Sequence, residues 1–169
     1  MKTKAPAPRV PSQTRRILTL GACLWVLRLL TAAGLAVDAY VHADLAANYD
    51  PVIKTISQGD LFRIEAGAAA LAALLVVLLG TRPLVWVYAL LVAAAGVAAV
   101  LLYRYVDVGS VGPLPNMYEP GWYPEKTASV VAEAAAMVTA AAGLLLARHL
   151  RTNSLQNGAV PALIGTRSE

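Results

Sequence analysis

Four apolar runs separated by polar stretches organise the chain. The first, Ile17 to Tyr40, follows Arg15 and Arg16; as a helix it is about 36 Å long, enough to cross a ~30 Å hydrocarbon core. Leu61 to Gly80 (LFRIEAGAAALAALLVVLLG) and Pro83 to Tyr105 (PLVWVYALLVAAAGVAAVLLYRY) are the second and third runs, and Thr127 to Leu150 (TASVVAEAAAMVTAAAGLLLARHL) is the fourth. Pro83 and Pro124 stand where helices begin, positions that tolerate proline. No proline falls inside a run, so the interrupted helices of transporters are not expected. The pattern predicts an all-α fold, a four-helix transmembrane bundle with spans over about 16–40, 61–80, 83–105 and 127–150. Residues 1–15 are expected to form a disordered basic cytoplasmic tail, 16–150 the membrane domain and 151–169 a second disordered cytoplasmic tail.

Composition agrees with this pattern. The chain is 58% hydrophobic and 14% charged, against about 45–50% and 25% in soluble domains. A small core cannot hide that surplus, so much of it must face lipid. The formal charge is +4, but the basic residues are placed by topology. Lys2, Lys4, Arg9, Arg15 and Arg16 precede the first span, Arg82 lies between the second and third, and Arg148, Arg151 and Arg167 lie at or after the end of the fourth. The other two connections carry Lys54, Arg104 and Lys126 against Asp44, Asp50, Asp60, Asp107, Glu119 and Glu125. The positive-inside rule then puts both termini in the cytoplasm of a cell-membrane protein, with two long loops, Val41 to Asp60 and Val106 to Lys126, outside. Trp86 and Tyr88 are expected in the inner aromatic belt, and Tyr40, Tyr103, Tyr105, Trp122 and Tyr123 in the outer one.

The second outer loop, GSVGPLPNMYEPGWYPEK, has the prolines and aromatics of a stiff cap over the bundle mouth. Leu20-Gly21-Ala22-Cys23 resembles a lipoprotein cleavage box, yet only about four apolar residues separate it from Arg16, where a signal needs 7–15. An uncleaved first helix is expected. Cys23 is the single cysteine, so no intrachain disulfide can form. There is no P-loop, dinucleotide fingerprint, HExxH or GxSxG, and classical catalysis is not indicated. Basic residues are not clustered with aromatic platforms, so nucleic acid is not an expected partner.

Two segments, ISQGDLFRIEAG (Ile56 to Gly67) and YRYVDVGSVGPLPNMYEPGWYPEKTASVVAEA (Tyr103 to Ala134), resemble uncharacterised four-helix membrane proteins of GC-rich Gram-positive bacteria. That likeness brings no activity with it. Arg28 in RLLTAAG and the four-span layout are similar to the DoxX-like small membrane proteins, some of which are linked to quinol oxidation. No haem-binding histidine pair is present, so no cofactor is carried over from the resemblance.

Ionisable groups inside spans are costly and mark function or packing. Arg28, Glu65 and Glu133 stand out. Counted from Arg16 as the inner boundary, Arg28 and Glu133 come to similar depths, about 18 and 19 Å. The expectation is a buried ion pair, Arg28 with Glu133, with Glu65 as second partner. Ser129, Ala136 and Ala140 share a helical face with Glu133 and should point its carboxylate inward. Asp38 and His42, spaced i, i+4, share the outer face of the first span and offer oxygen and nitrogen donors suited to Zn or Cu(II). A third ligand could come from Glu65, Asp107 or Glu119, provided the loops fold inward.

Two functions follow as expectations. One is a small accessory or structural membrane protein whose outer cap binds a membrane-protein partner or a second copy of the chain. The other is a metal- or redox-handling protein with a site around Asp38, His42, Glu65 and Glu133. Under the second, any ligand lies in the outer half of the bundle beneath the Pro113 to Lys126 cap.

Overall fold

A computed structural model describes residues 12–159, in which the apolar runs form four long helices. These are α1 (Ser12–Leu45), α2 (Gln58–Leu79), α3 (Pro83–Tyr105) and α4 (Pro124–Ala159), with a 3-10 turn over Ala46–Tyr49 after α1. All four are long and apolar enough to cross a membrane, and no strand occurs among the described residues. Each helix packs on its neighbours in sequence and α4 closes the ring on α1. One end of the bundle carries the tight α2–α3 turn, and the other carries the two longer connections; these are the turn end and the loop end.

The boundaries differ from the sequence expectation for local reasons. α1 continues past Tyr40 because Val41 and Ala46 are buried against the bundle. The loop expected over 41–60 thereby shrinks to residues 46–57, part of it the 3-10 turn. α2 begins early because Ser57 and Asp60 form a capping box, the Ser57 Oγ accepting from the Asp60 amide at 2.9 Å. Arg63 then clips the loop by donating to both carboxylate oxygens of Asp50 at 2.8 Å, which holds the Asp50 carboxyl below its usual range. Residues 12–15 and 151–159, expected as parts of disordered tails, are helical, while 1–11 and 160–169 lie outside the described residues.

The helix contacts are made by small residues. Ala69, Ala72, Ala89, Ala93, Ala136 and Ala140 are almost fully buried, letting backbones approach as in membrane bundles. A side chain on Gly34 would collide with the Ala132 carbonyl oxygen at 2.7 Å, so α1 and α4 touch there. Thr31 donates to Thr139 Oγ1 at 2.8 Å across the same interface, and the Thr139 hydroxyl donates to the Ala135 carbonyl at 2.8 Å. The bundle surface is instead apolar and large. Leu91 and Leu145 are 62% and 69% exposed and stand among many other exposed aliphatic side chains, more than a water-facing surface of one small domain carries.

At the turn end, two residues depart from expectation. Trp86 does not join an interfacial belt: it is fully buried, donates Nε1–H to the Gly80 carbonyl at 2.7 Å and lies flat against Gly143 of α4. Arg28 does not pair with Glu133 or Glu65. Its Nε donates to the Val76 carbonyl at 3.0 Å, its guanidinium stands 4.2 Å from the Trp25 ring, and its chain crosses against Gly80. Arg28 therefore caps α2, meeting the orphan carbonyls and negative dipole end of that helix. The expected pair fails on depth. Arg28 is level with the last turn of α2, about 24 Å of helix after Ser12, whereas the acids lie near Asp38, about 15 Å farther along α1. Because α1 overshoots the α2–α3 turn, Arg16 is a poor reference point for depth along the bundle.

Candidate metal centre

Near the loop end, α1, α2 and α4 each turn an ionisable side chain inward. Asp38 and Glu133 are fully buried. On α1, the one-turn spacing brings His42 Nδ1 to 2.8 Å from Asp38 Oδ1 and 3.1 Å from the Asp38 carbonyl oxygen. Both neighbours are acceptors, so Nδ1 carries a hydrogen and Nε2 is left with the ring's remaining valence. The His42 ring is fixed by edge-on contact with Phe62 of α2, the centroids 5.0 Å apart.

From α4, Ser129 sits one turn before Glu133 and bridges the helices. Its hydroxyl lies 2.8 Å from Asp38 Oδ1 and 3.3 Å from Glu133 Oε1. Gly96 of α3 makes the room: a Cβ there would overlap the Glu133 carboxylate. One ligand atom each from Asp38, His42 and Glu133 lies within 4.8 Å of the others.

The cluster holds fewer hydrogen-bond donors than acceptors. The two carboxylates present four oxygens, while the adjacent donors are one hydroxyl hydrogen and one imidazole hydrogen. Asp38 Oδ2 and Glu133 Oε2 are buried without a hydrogen-bond partner, and so is Glu65 Oε1 on α2. Buried acceptors and charges left in this state are expensive in any protein and more so in lipid. The cluster is thus short of positive charge, as a proton or as a bound cation.

Above the cluster lies a cavity of about 280 Å³, lined by His42, Phe62, Glu65, Gly96, Met117 and Tyr123 among others. The cap closes over it. The Glu119 amide donates to the Tyr103 carbonyl at 3.0 Å, and Lys126 Nζ donates to the Glu119 and Gly121 carbonyls at 2.6 and 3.1 Å. Gly109 and Gly112, both with positive φ (63° and 57°), let the cap turn, and the Pro113 carbonyl accepts from the amides of Thr55 and Ile56 at 3.2 and 3.3 Å. At the mouth, the Tyr49 and Tyr123 hydroxyls meet at 2.8 Å. Burial pushes the Tyr123 phenol up, so it stays protonated.

Of the residues singled out in the sequence, Asp38, His42 and Glu133 come together, Glu65 lies on the adjoining cavity wall, and Arg28 is elsewhere. Asp107 does not take part: its carboxylate accepts from Asn116 and the Gly109 amide within the cap, at 3.0 and 3.1 Å. Glu119 reaches only the cavity lining. Sequence reasoning did not find Gly96, the Tyr49–Tyr123 contact or the bridging role of Ser129. The signal for Ser129 was its place one helical turn from Glu133. Compared with protein families, curated proteins and solved structures, the chain matches none.

Proposed function

We propose that this chain is a multi-pass protein of the cell membrane, with both termini in the cytoplasm, that holds a first-row divalent metal ion, Zn²⁺ foremost, in the extracytoplasmic half of its bundle. The observation that carries this reading is the cluster itself: two fully buried carboxylates and a histidine within 4.8 Å, with one oxygen of each carboxylate unpartnered. A divalent ion would engage one oxygen of each carboxylate and one His42 ring nitrogen and offset both negative charges. Ligands of tetrahedral Zn²⁺ at about 2.0–2.2 Å lie roughly 3.3–3.6 Å apart, a contraction that side-chain torsions supply. Mixed carboxylate and imidazole donors suit Zn²⁺ and its neighbours better than Mg²⁺ or Cu(I). Three protein ligands leave a position open, the arrangement of exchanging or reactive sites rather than of structural ones. Orientation rests on Arg82, Arg148 and Arg151 at the turn end, against the acid-rich loop end.

Equilibrium dialysis of the full chain in detergent is expected to retain one Zn²⁺ per chain, released by a chelator. Co²⁺ in its place should give the visible absorption of a four- or five-coordinate nitrogen and oxygen site. Retention of no ion would mean that the carboxylates share protons, leaving a structural or accessory membrane protein. Orientation is checked separately. A reporter active only outside the cytoplasm should be silent when fused at Glu169 and active when inserted at Ser110; the reverse pattern would invert the topology.

A further inference from the structure

We propose that the cavity above the metal cluster binds a monovalent organic cation with a compact apolar body, its charged head held by Glu65. The inference rests on the metal reading in one respect: with Asp38 and Glu133 offset by a divalent ion and His42 neutral as its ligand, Glu65 is the carboxyl group left without a counter-charge on the cavity wall, the other one in the lining, Glu119, lying beside Lys126. Its Oε1 is buried and receives no hydrogen bond. None of four basic side chains, Arg28, Arg63, Arg104 and Lys126, makes a hydrogen bond or ion pair to Glu65 in the structure, although the buried Arg104 Nε has no hydrogen-bond partner. Arg63 is spent on Asp50 and Asp60, Arg28 caps α2 at the turn end, and Arg104 lies over the rings of Tyr105 and Trp122. Lys126 faces the cavity at its rim, but donates to two backbone carbonyls and stands beside Glu119.

The cavity supplies what a cation with an apolar body needs. Gln58, Leu61, Phe62 and Glu65 are spaced i, i+3, i+4, i+7, so one stripe of α2 faces it, and Ala95, Gly96, Ala99 and Val100 give a low apolar wall from α3. The rings of Phe62, Tyr49, Tyr103 and Tyr123 surround the space, and aromatic faces attract organic cations. In size, about 280 Å³ exceeds the roughly 150 Å³ of an apolar cavity that accepts benzene. A single ring with a small ammonium head is accommodated, and a long chain is not. An anion would meet Glu65, and a neutral guest would leave it uncompensated.

The test is equilibrium dialysis of Zn²⁺-loaded full-length protein in detergent with benzyltrimethylammonium as probe and benzyl alcohol as its neutral counterpart. Saturable binding of one benzyltrimethylammonium per chain is expected, not displaced by benzyl alcohol. Glu65→Gln should weaken it at least about tenfold while keeping one Zn²⁺ per chain, which also shows that the variant is folded. Met117→Trp, which fills the cavity from the cap, should weaken it similarly with Zn²⁺ retained. Binding of the probe no tighter than benzyl alcohol, or unchanged by Glu65→Gln, overturns the proposal and leaves the metal site standing. Loss of Zn²⁺ in Glu65→Gln also overturns it, because Glu65 would then belong to the metal. If the parent holds no Zn²⁺ yet binds the probe through Glu65, the cation site is upheld and the metal reading falls.

Discussion

Replacing Glu133 with glutamine is expected to stabilise the metal-free protein and, in the same variant, to lower its affinity for Zn²⁺ by at least about a hundredfold. The first effect follows from the donor deficit. Asp38 and Glu133 meet in a fully buried space with Ser129 and His42 as their nearby donors. Glutamine keeps the shape, cannot carry a second negative charge beside Asp38 and brings two N–H donors, one of which can reach an unpartnered oxygen. Relieving a buried, unsatisfied acceptor is worth about 1–3 kcal/mol. The second effect follows from losing an anionic ligand outright, which exceeds the 10–100-fold typical of disturbing outer-shell partners. Thermal unfolding in detergent, with chelator and with excess Zn²⁺, reads both. The parent should gain more from Zn²⁺ than the variant does, since an ion that binds only the folded state stabilises in proportion to its affinity. A variant less stable than the parent in chelator would mean that Glu133 has a cationic partner after all.

Gly143→Ala is expected to destabilise the bundle by about 1–3 kcal/mol, the range for overpacking a well-filled core. A methyl at this position would overlap three atoms of the Trp86 benzo ring. That ring cannot swing aside, being fully buried and tied by its indole N–H to the Gly80 carbonyl at 2.7 Å. Trp86→Phe removes the offending part of the ring, so the two substitutions together should cost less than the sum of each alone. Unfolding of the two single variants and the double variant in chelator tests this. Additive losses would show that α3 and α4 part at this point without strain.

The four spans were legible because lipid leaves a long apolar run no alternative but helix. Helix ends were less so. α1 runs on through His42 because tertiary burial of Val41 and Ala46 outweighs the polar residues between them, and α2 starts at a capping box. Two of the three cluster residues, Asp38 and His42, could be read from their spacing of one turn. The third member of the cluster could not be fixed, since Glu65, Glu133, Asp107 and Glu119 all had the right chemistry and only packing separates them. Gly96, which admits the Glu133 carboxylate, gives no chemical signal in sequence.

Arg28 was misplaced for a different reason. Its partner is a backbone carbonyl at a helix end, which a search by side-chain type does not find, and depth was counted from a basic residue on a helix that overshoots the α2–α3 turn. Trp86 likewise has the residue type and position of an interfacial anchor. Its burial depends on Gly143, far along the chain on another helix.

An anomalous difference map at the zinc edge, from crystals of the full chain equilibrated with Zn²⁺, tests the central claim most directly. The expected result is one peak per chain near the loop end, within bonding distance of Asp38, His42 and Glu133. A peak elsewhere, at Cys23 or His149 for example, or a map without one while the Asp38 and Glu133 carboxylates close on each other through a shared proton, would contradict it.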